Sequence, residues 1–168
     1  SDLPVSRLLP DFLRSCSLGS VSIVSASAGS GKTTLIPLAC AELLEPGQRV
    51  LVCSPRRVSA RSCARRLAQL LDDRVGHLVG FSVRGQSERS MSTRIEFVTP
   101  GVLTRMIHSD PELQGIACVI LDEFHERAVD SDLACAFLSD IREVLREDLR
   151  LVIMSATVDI DALRSLLA

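Results

Sequence analysis

The sequence predicts an α/β fold, a mostly parallel sheet with helices on both faces, and three observations carry that expectation. Short apolar runs rich in valine and isoleucine recur along the chain, stretches with helical spacing separate them, and no run approaches the roughly 18 apolar residues of a membrane span. A strand that returns after each helix lies parallel to its predecessor, and helices in such crossovers cover both faces. With 168 residues, 46% of them hydrophobic and 24% charged, the chain can bury one core, so residues 1–168 read as a single domain.

The elements follow in order. VSIVSA (21–26) is a buried strand that ends in a small-residue loop, and 32–44 continues as a helix. RVLVCS (49–54) precedes helical spacing over 59–71; the segment 76–93 reads as one more strand near 77–83 and then a polar loop. RIEFVT (94–99) leads to a helix at 101–108, ACVILDE (117–123) to one at 131–146, and LRLVIMSA (149–156) to one at 160–167. In the helix at 131–146, Leu133, Phe137, Ile141 and Val144 fall on one face behind Asp130 and Ser131 as caps.

Composition narrows the function classes. The six cysteines, Cys16, Cys40, Cys53, Cys63, Cys118 and Cys135, form no C-x-x-C pair and sit mostly in apolar runs, which argues against a disulfide framework or a zinc site. The N-terminus has no signal-peptide pattern, so the chain reads as cytoplasmic. A net charge of −2 creates no global field for nucleic acid, and any such binding needs a local patch. Five phenylalanines with no tryptophan or tyrosine leave few platforms for base stacking.

Of nineteen basic side chains one alone is a lysine, Lys32, and it stands in SASAGSGKTT (25–34), where a strand gives way to a helix. That context suits a phosphate loop. Glycines at 29 and 31 let consecutive N–H groups point inward, and the helix start adds the positive end of its dipole. The backbone from Ala28 through Gly29, Ser30, Gly31, Lys32 and Thr33 to Thr34 would cradle the phosphates of ATP or ADP. Lys32 would reach the β- and γ-phosphates as a compact charge, and the Thr33 hydroxyl would bind magnesium. The planar arginine fork is a poor replacement in so tight a loop. The first glycine of G-x-x-x-x-G-K-[ST] is Ala26 here.

CVILDEFHER places Asp122 and Glu123 directly after an apolar strand, where a parallel sheet presents its ligands. Asp122 suits the magnesium-holding aspartate. Glu123 suits the base that orients the attacking water, and as an oxygen donor it joins Thr33 and Asp122 in the candidate metal set. Two acids at a strand end also read as a helix cap. His125 reads either as a buried, satisfied histidine or as a link between the nucleotide site and a moving part.

Taken together these motifs resemble the first RecA-like domain of the DEAH/RHA group of superfamily 2 helicases. AGSGKTTLIP is similar to motif I, SPRRVSARSCARRLA (54–68) to motif Ia, TPG (99–101) to motif Ib, DEFHER (122–127) to motif II and SAT (155–157) to motif III. The stretch from Thr99 to Arg127 resembles a bacterial branch that carries phenylalanine where most relatives read D-E-A-H. The departures are Ala26, Phe124 and Pro100, and none removes a group that ATP chemistry needs. The resemblance implies a RecA-like P-loop NTPase fold and ATP-dependent helicase activity. By position it implies that Arg56, Arg57 and Thr99 meet the backbone of single-stranded RNA or DNA, that Arg66 stacks on adenine, that Ser155 and Thr157 couple nucleotide state to domain movement, and that His125 joins the ATP site to motif III.

Plainer readings stay open beside these. Arg56, Arg57, Arg61, Arg65 and Arg66 read also as a solvated helix face, TPGVL as a helix start with Thr99 as cap, and SATVD as a strand end before an Asp159 cap. A motor of this group needs a second RecA-like domain with arginine fingers, and no Q-x-x-G-R-x-G-R-like stretch occurs in these residues. The expectation is therefore an excised, monomeric motor half that binds nucleotide weakly and hydrolyses little alone. The alternatives are a stand-alone nucleotide-binding regulatory module without nucleic acid, and a small-molecule kinase, for which neither lid nor substrate pocket is found.

Overall fold

The structure, a computed structural model, describes residues 17–25, 31–124 and 129–155, with Lys32 and Val129 described by their backbone only. In chain order the elements are β1 (Val21–Ser25), α1 (Lys32–Ala41), β2 (Arg49–Cys53), α2 (Arg57–Leu70), β3 (Val79–Val83), β4 (Gln86–Glu88), β5 (Ile95–Val98), α3 (Pro100–Ser109), β6 (Ile116–Leu121), α4 (Val129–Val144) and β7 (Arg150–Ser155). The strand expected at 77–83 is present. The helix expected at 160–167 lies outside the described residues.

Seven strands form one sheet in the order β1-β7-β6-β2-β5-β3-β4. Every pairing is parallel except β3 with β4. Strand β4 replaces part of the polar loop expected after residue 83. Its three residues, QSE, include no apolar side chain, so no alternation marks them, and only the partner strand makes them a strand. Gly80 allows that partner to approach: a Cβ there would stand 2.5 Å from the Glu88 carbonyl oxygen.

Alternating strand residues feed two cores, as a sheet buried on both faces requires. Val50, Val52, Phe81, Phe97 and Ile120 pack with Ile36 of α1 and with Ala60, Ala64 and Leu67 of α2. Leu51, Cys53, Val98, Val119 and Ile153 pack with Leu103 of α3 and with Ala134, Cys135 and Leu138 of α4.

Two local expectations shift. Helix α1 ends at Ala41, not 44, and holds Pro37 in its interior, which takes away the N–H that would bond the Thr33 carbonyl. In α4, Leu133 is 46% and Val144 78% exposed, whereas Ala134, Cys135 and Leu138 are fully enclosed. Of the expected stripe, Ile141 is buried and Phe137 packs against the core, while Leu133 and Val144 turn outward and Ala134, Cys135 and Leu138 take the inner face. Asp130 also sits within the first turn.

Candidate nucleotide and nucleic-acid site

Parallel pairing brings six carboxyl ends to one edge. Ser25 stands level with Ser155, Leu121 with Ile153 and Cys53, and Cys53 with Val98. The described segments that leave this edge are Asp122 with Glu123, Ser54 to Arg57, and Thr99, and Gly31 stands at the start of α1. Motifs separated by up to a hundred residues in sequence are thereby neighbours in space, in the crevice where open α/β sheets bind their ligands.

At the first of these ends Gly31 caps α1 in the left-handed region, φ 89°, a conformation glycine adopts without strain. Its carbonyl accepts both the Thr34 N–H at 3.1 Å and the Thr34 hydroxyl at 2.9 Å. Thr33 and Thr34 line a cleft of about 140 Å³ with Ser62, Cys63 and Arg66 of α2. Arg66, placed near adenine by resemblance, therefore shares a cleft with the first turn of α1. Ala28, Gly29 and Ser30 lie outside the described residues, as does the Lys32 side chain.

Asp122 is 5% exposed. Its N–H donates to the Cys53 carbonyl at 2.9 Å and its Oδ1 accepts the Glu123 N–H at 2.8 Å. Glu123 stands in the left-handed region at φ 52°, a conformation that costs a side-chain-bearing residue about 1–2 kcal/mol and that collects at functional sites. Its Oε2 accepts no hydrogen bond among the described residues and lies 3.8 Å from Arg56 Nη2.

Two thiols report the field of these acids. Burial first, then the Asp122 carboxylate, pushes Cys53 up to about 12. Burial first, then Asp122 and Glu123, raises Cys63 to about 11, with Arg66 pulling the other way. Cys63 also lines the cleft at the start of α1. Ser62 and Cys63 are lining residues that sequence reasoning passed over; their spacing of four and three from Arg66 on one helix face was the available signal.

On the other side of Asp122, Arg56 and Arg57 are exposed at the start of α2. Thr99 occupies the N-cap position of α3 with Pro100 in the first turn, but its side chain makes no capping hydrogen bond. Between them Ser54 Oγ is buried with no hydrogen-bond partner among the described residues. Ser155 ends β7 at 2% exposure. His125 and Thr157 lie outside the described residues.

Residues 9–166 match the DEAD/DEAH box helicase family. The chain belongs to that family. It is 47% identical over 99% of its length to the ATP-dependent RNA helicase HrpB of Escherichia coli, and 38% identical over 95% to an HrpA homolog of Haemophilus influenzae. The crystal structure of Escherichia coli DEAH/RHA helicase HrpB superposes on 97% of the chain with a TM-score of 0.90 and 47% identity. The fold is thereby that of a RecA-like helicase domain, and the branch inferred from D-E-F-H is the one HrpB represents. The chain spans 21% of the length of HrpB and 12% of the HrpA homolog. As a DEAD/DEAH box domain it is not favoured as a free-standing regulatory module. Among the described residues no helix is long and apolar enough to cross a membrane.

Proposed function

We propose that residues 1–168 are the ATP-binding motor domain of an ATP-dependent RNA or DNA helicase, paired in its complete form with a second RecA-like domain. The observation that carries this reading is the convergence, on one sheet edge, of the glycine-led start of α1, the Asp122–Glu123 pair and the Arg66 cleft.

In this reading the N–H groups around Gly31 and the Lys32 ammonium hold the nucleotide phosphates, and Arg66 flanks adenine. The oxygen donors Thr33, Asp122 and Glu123 suit magnesium, a hard cation that keeps most of its waters. Magnesium would neutralise charge on the transferring phosphoryl group. Glu123, held beside Asp122 by its own N–H, orients the attacking water. Arg56, Arg57 and Thr99 contact the strand backbone, a sequence-independent grip suited to translocation. Ser155, Thr157 and His125 relay nucleotide state.

The test is calorimetric titration of Mg·ADP into the wild type and Lys32→Ala. Binding lost on substitution is the expected result. Equal binding by both would remove the phosphate loop from the reading.

A further inference from the structure

A second concentration of charge gathers around β5 and its neighbours β2 and β3. Glu96, 1% exposed on β5, is its hub: Oε1 accepts from Arg49 Nε and from Arg89 Nη1, each at 3.1 Å, and Oε2 accepts the Ser82 hydroxyl at 2.6 Å. Two guanidiniums share one carboxylate, which leaves net positive charge in a partly desolvated place. Arg94 stands beside them, anchored by Nη1 to the Gln48 carbonyl at 2.8 Å. Each guanidinium offers five N–H donors, and each of these three engages one nitrogen among the described residues.

All three line a depression of about 480 Å³ with Gly47, Ser90 and Thr93, and no acidic side chain lines it. Arg49 and Arg89 also form the wall shared with an adjoining cleft of about 510 Å³, where Arg105 of α3 adds a fourth guanidinium and Asp110 a carboxylate. The Glu96 carboxylate offsets one of the two charges it holds, and Arg94 and Arg105 add further positive charge at the walls of the two clefts.

We infer that this cluster binds a linear phosphate polyanion, at a place separate from the nucleotide cleft. The planar arginine fork matches phosphate oxygens bidentately, and two clefts with a common wall suit a ligand carrying several charges in a row. Arg49 opens β2, about 13 Å along the strand from Cys53 at the carboxyl edge at about 3.3 Å per strand residue, and Glu96 sits between them, level with Leu51. The chemistry is shared by a nucleic-acid backbone and a free polyphosphate chain.

The experiment titrates sodium tripolyphosphate and, separately, a short oligothymidylate into the full chain carrying Lys32→Ala, Arg56→Gln, Arg57→Gln, Arg66→Gln and Thr99→Val, so that the proposed carboxyl-edge contacts are removed. Binding is expected to weaken about tenfold or more when Arg89→Gln and Arg94→Gln are added, since each loses charge-assisted bonds. Arg105→Gln, on the exposed surface of α3, is expected to weaken it about threefold and decides the matter if the double variant fails to melt cooperatively. Loss seen with oligothymidylate assigns the site to a strand backbone, and loss seen with tripolyphosphate alone assigns it to free polyphosphate. No binding of either probe, or binding that survives these substitutions unchanged, overturns the inference.

Discussion

The Arg56 guanidinium and the Glu123 carboxylate meet at 3.8 Å, Nη2 to Oε2, joining the start of α2 to the residue that follows Asp122. The side chains are 62% and 37% exposed, so solvent screens the pair and it contributes little to stability. Its consequence is positional: the cation proposed to grip a strand lies against the proposed base.

Arg56→Gln and Arg57→Gln should each weaken single-strand binding and lower the slope of log affinity against log salt by about 0.7, one phosphate contact apiece. Fluorescence anisotropy of a labelled strand across a salt series reads this directly. Unchanged slopes would place both arginines off the backbone. Arg56→Gln should in addition change the ATP turnover rate without a strand, which Arg57→Gln, making no ion pair with Glu123 among the described residues, should leave within about twofold.

Gly31→Ala forces a side chain into the left-handed cap of α1. The expected cost is about 1–2 kcal/mol, read as a drop in melting temperature at about 2–4 °C per kcal/mol for a chain of this size. An unchanged melting temperature would show that the cap relaxes.

Cys63 should be a poor nucleophile at neutral pH. Its thiol is raised to about 11, so alkylation by iodoacetamide should climb about tenfold per pH unit between roughly pH 8 and 10, and saturating Mg·ADP should slow it by filling the cleft. Mass-spectrometric counting of labelled Cys63 checks both. The same shift has a stability sign. Above the ordinary thiol value of 9.0, the unfolded chain loses a proton that folded Cys63 and Cys53 retain. Their contribution is therefore fully present below about pH 9 and is lost as pH rises toward about 11 and 12. A melting temperature that holds level across that alkaline range would count against it.

The inner face of α4 gives a paired test. Leu138, fully buried, should cost about 2–5 kcal/mol as Leu138→Ala through the cavity it leaves. Leu133→Ala, at an exposed position, should stay within about 1 kcal/mol. Urea unfolding of the two variants compares them, and equal losses would restore the stripe expected from spacing.

By itself the sequence determined the α/β class and six of the seven strands, and it supplied the contiguous motifs on which the proposed nucleotide chemistry rests. Buried parallel strands are continuous apolar runs, and the proposed phosphate loop is a motif within ten residues, so both signals are local. Strand β4 was not legible, because QSE has no apolar period and exists as a strand through its pairing with β3. Nor was all of the inward face of α4, where Ala134 and Cys135 displaced the larger Leu133, since packing depth against a sheet depends on both surfaces. The positions of Ser62 and Cys63 beside Thr33, the 3.8 Å approach of Arg56 to Glu123 and the gathering of Arg49, Arg89 and Arg94 around Glu96 were decided by tertiary structure alone. These contacts join residues as many as 67 positions apart in number, Arg56 to Glu123, and only strand order and register set which distant side chains share a place.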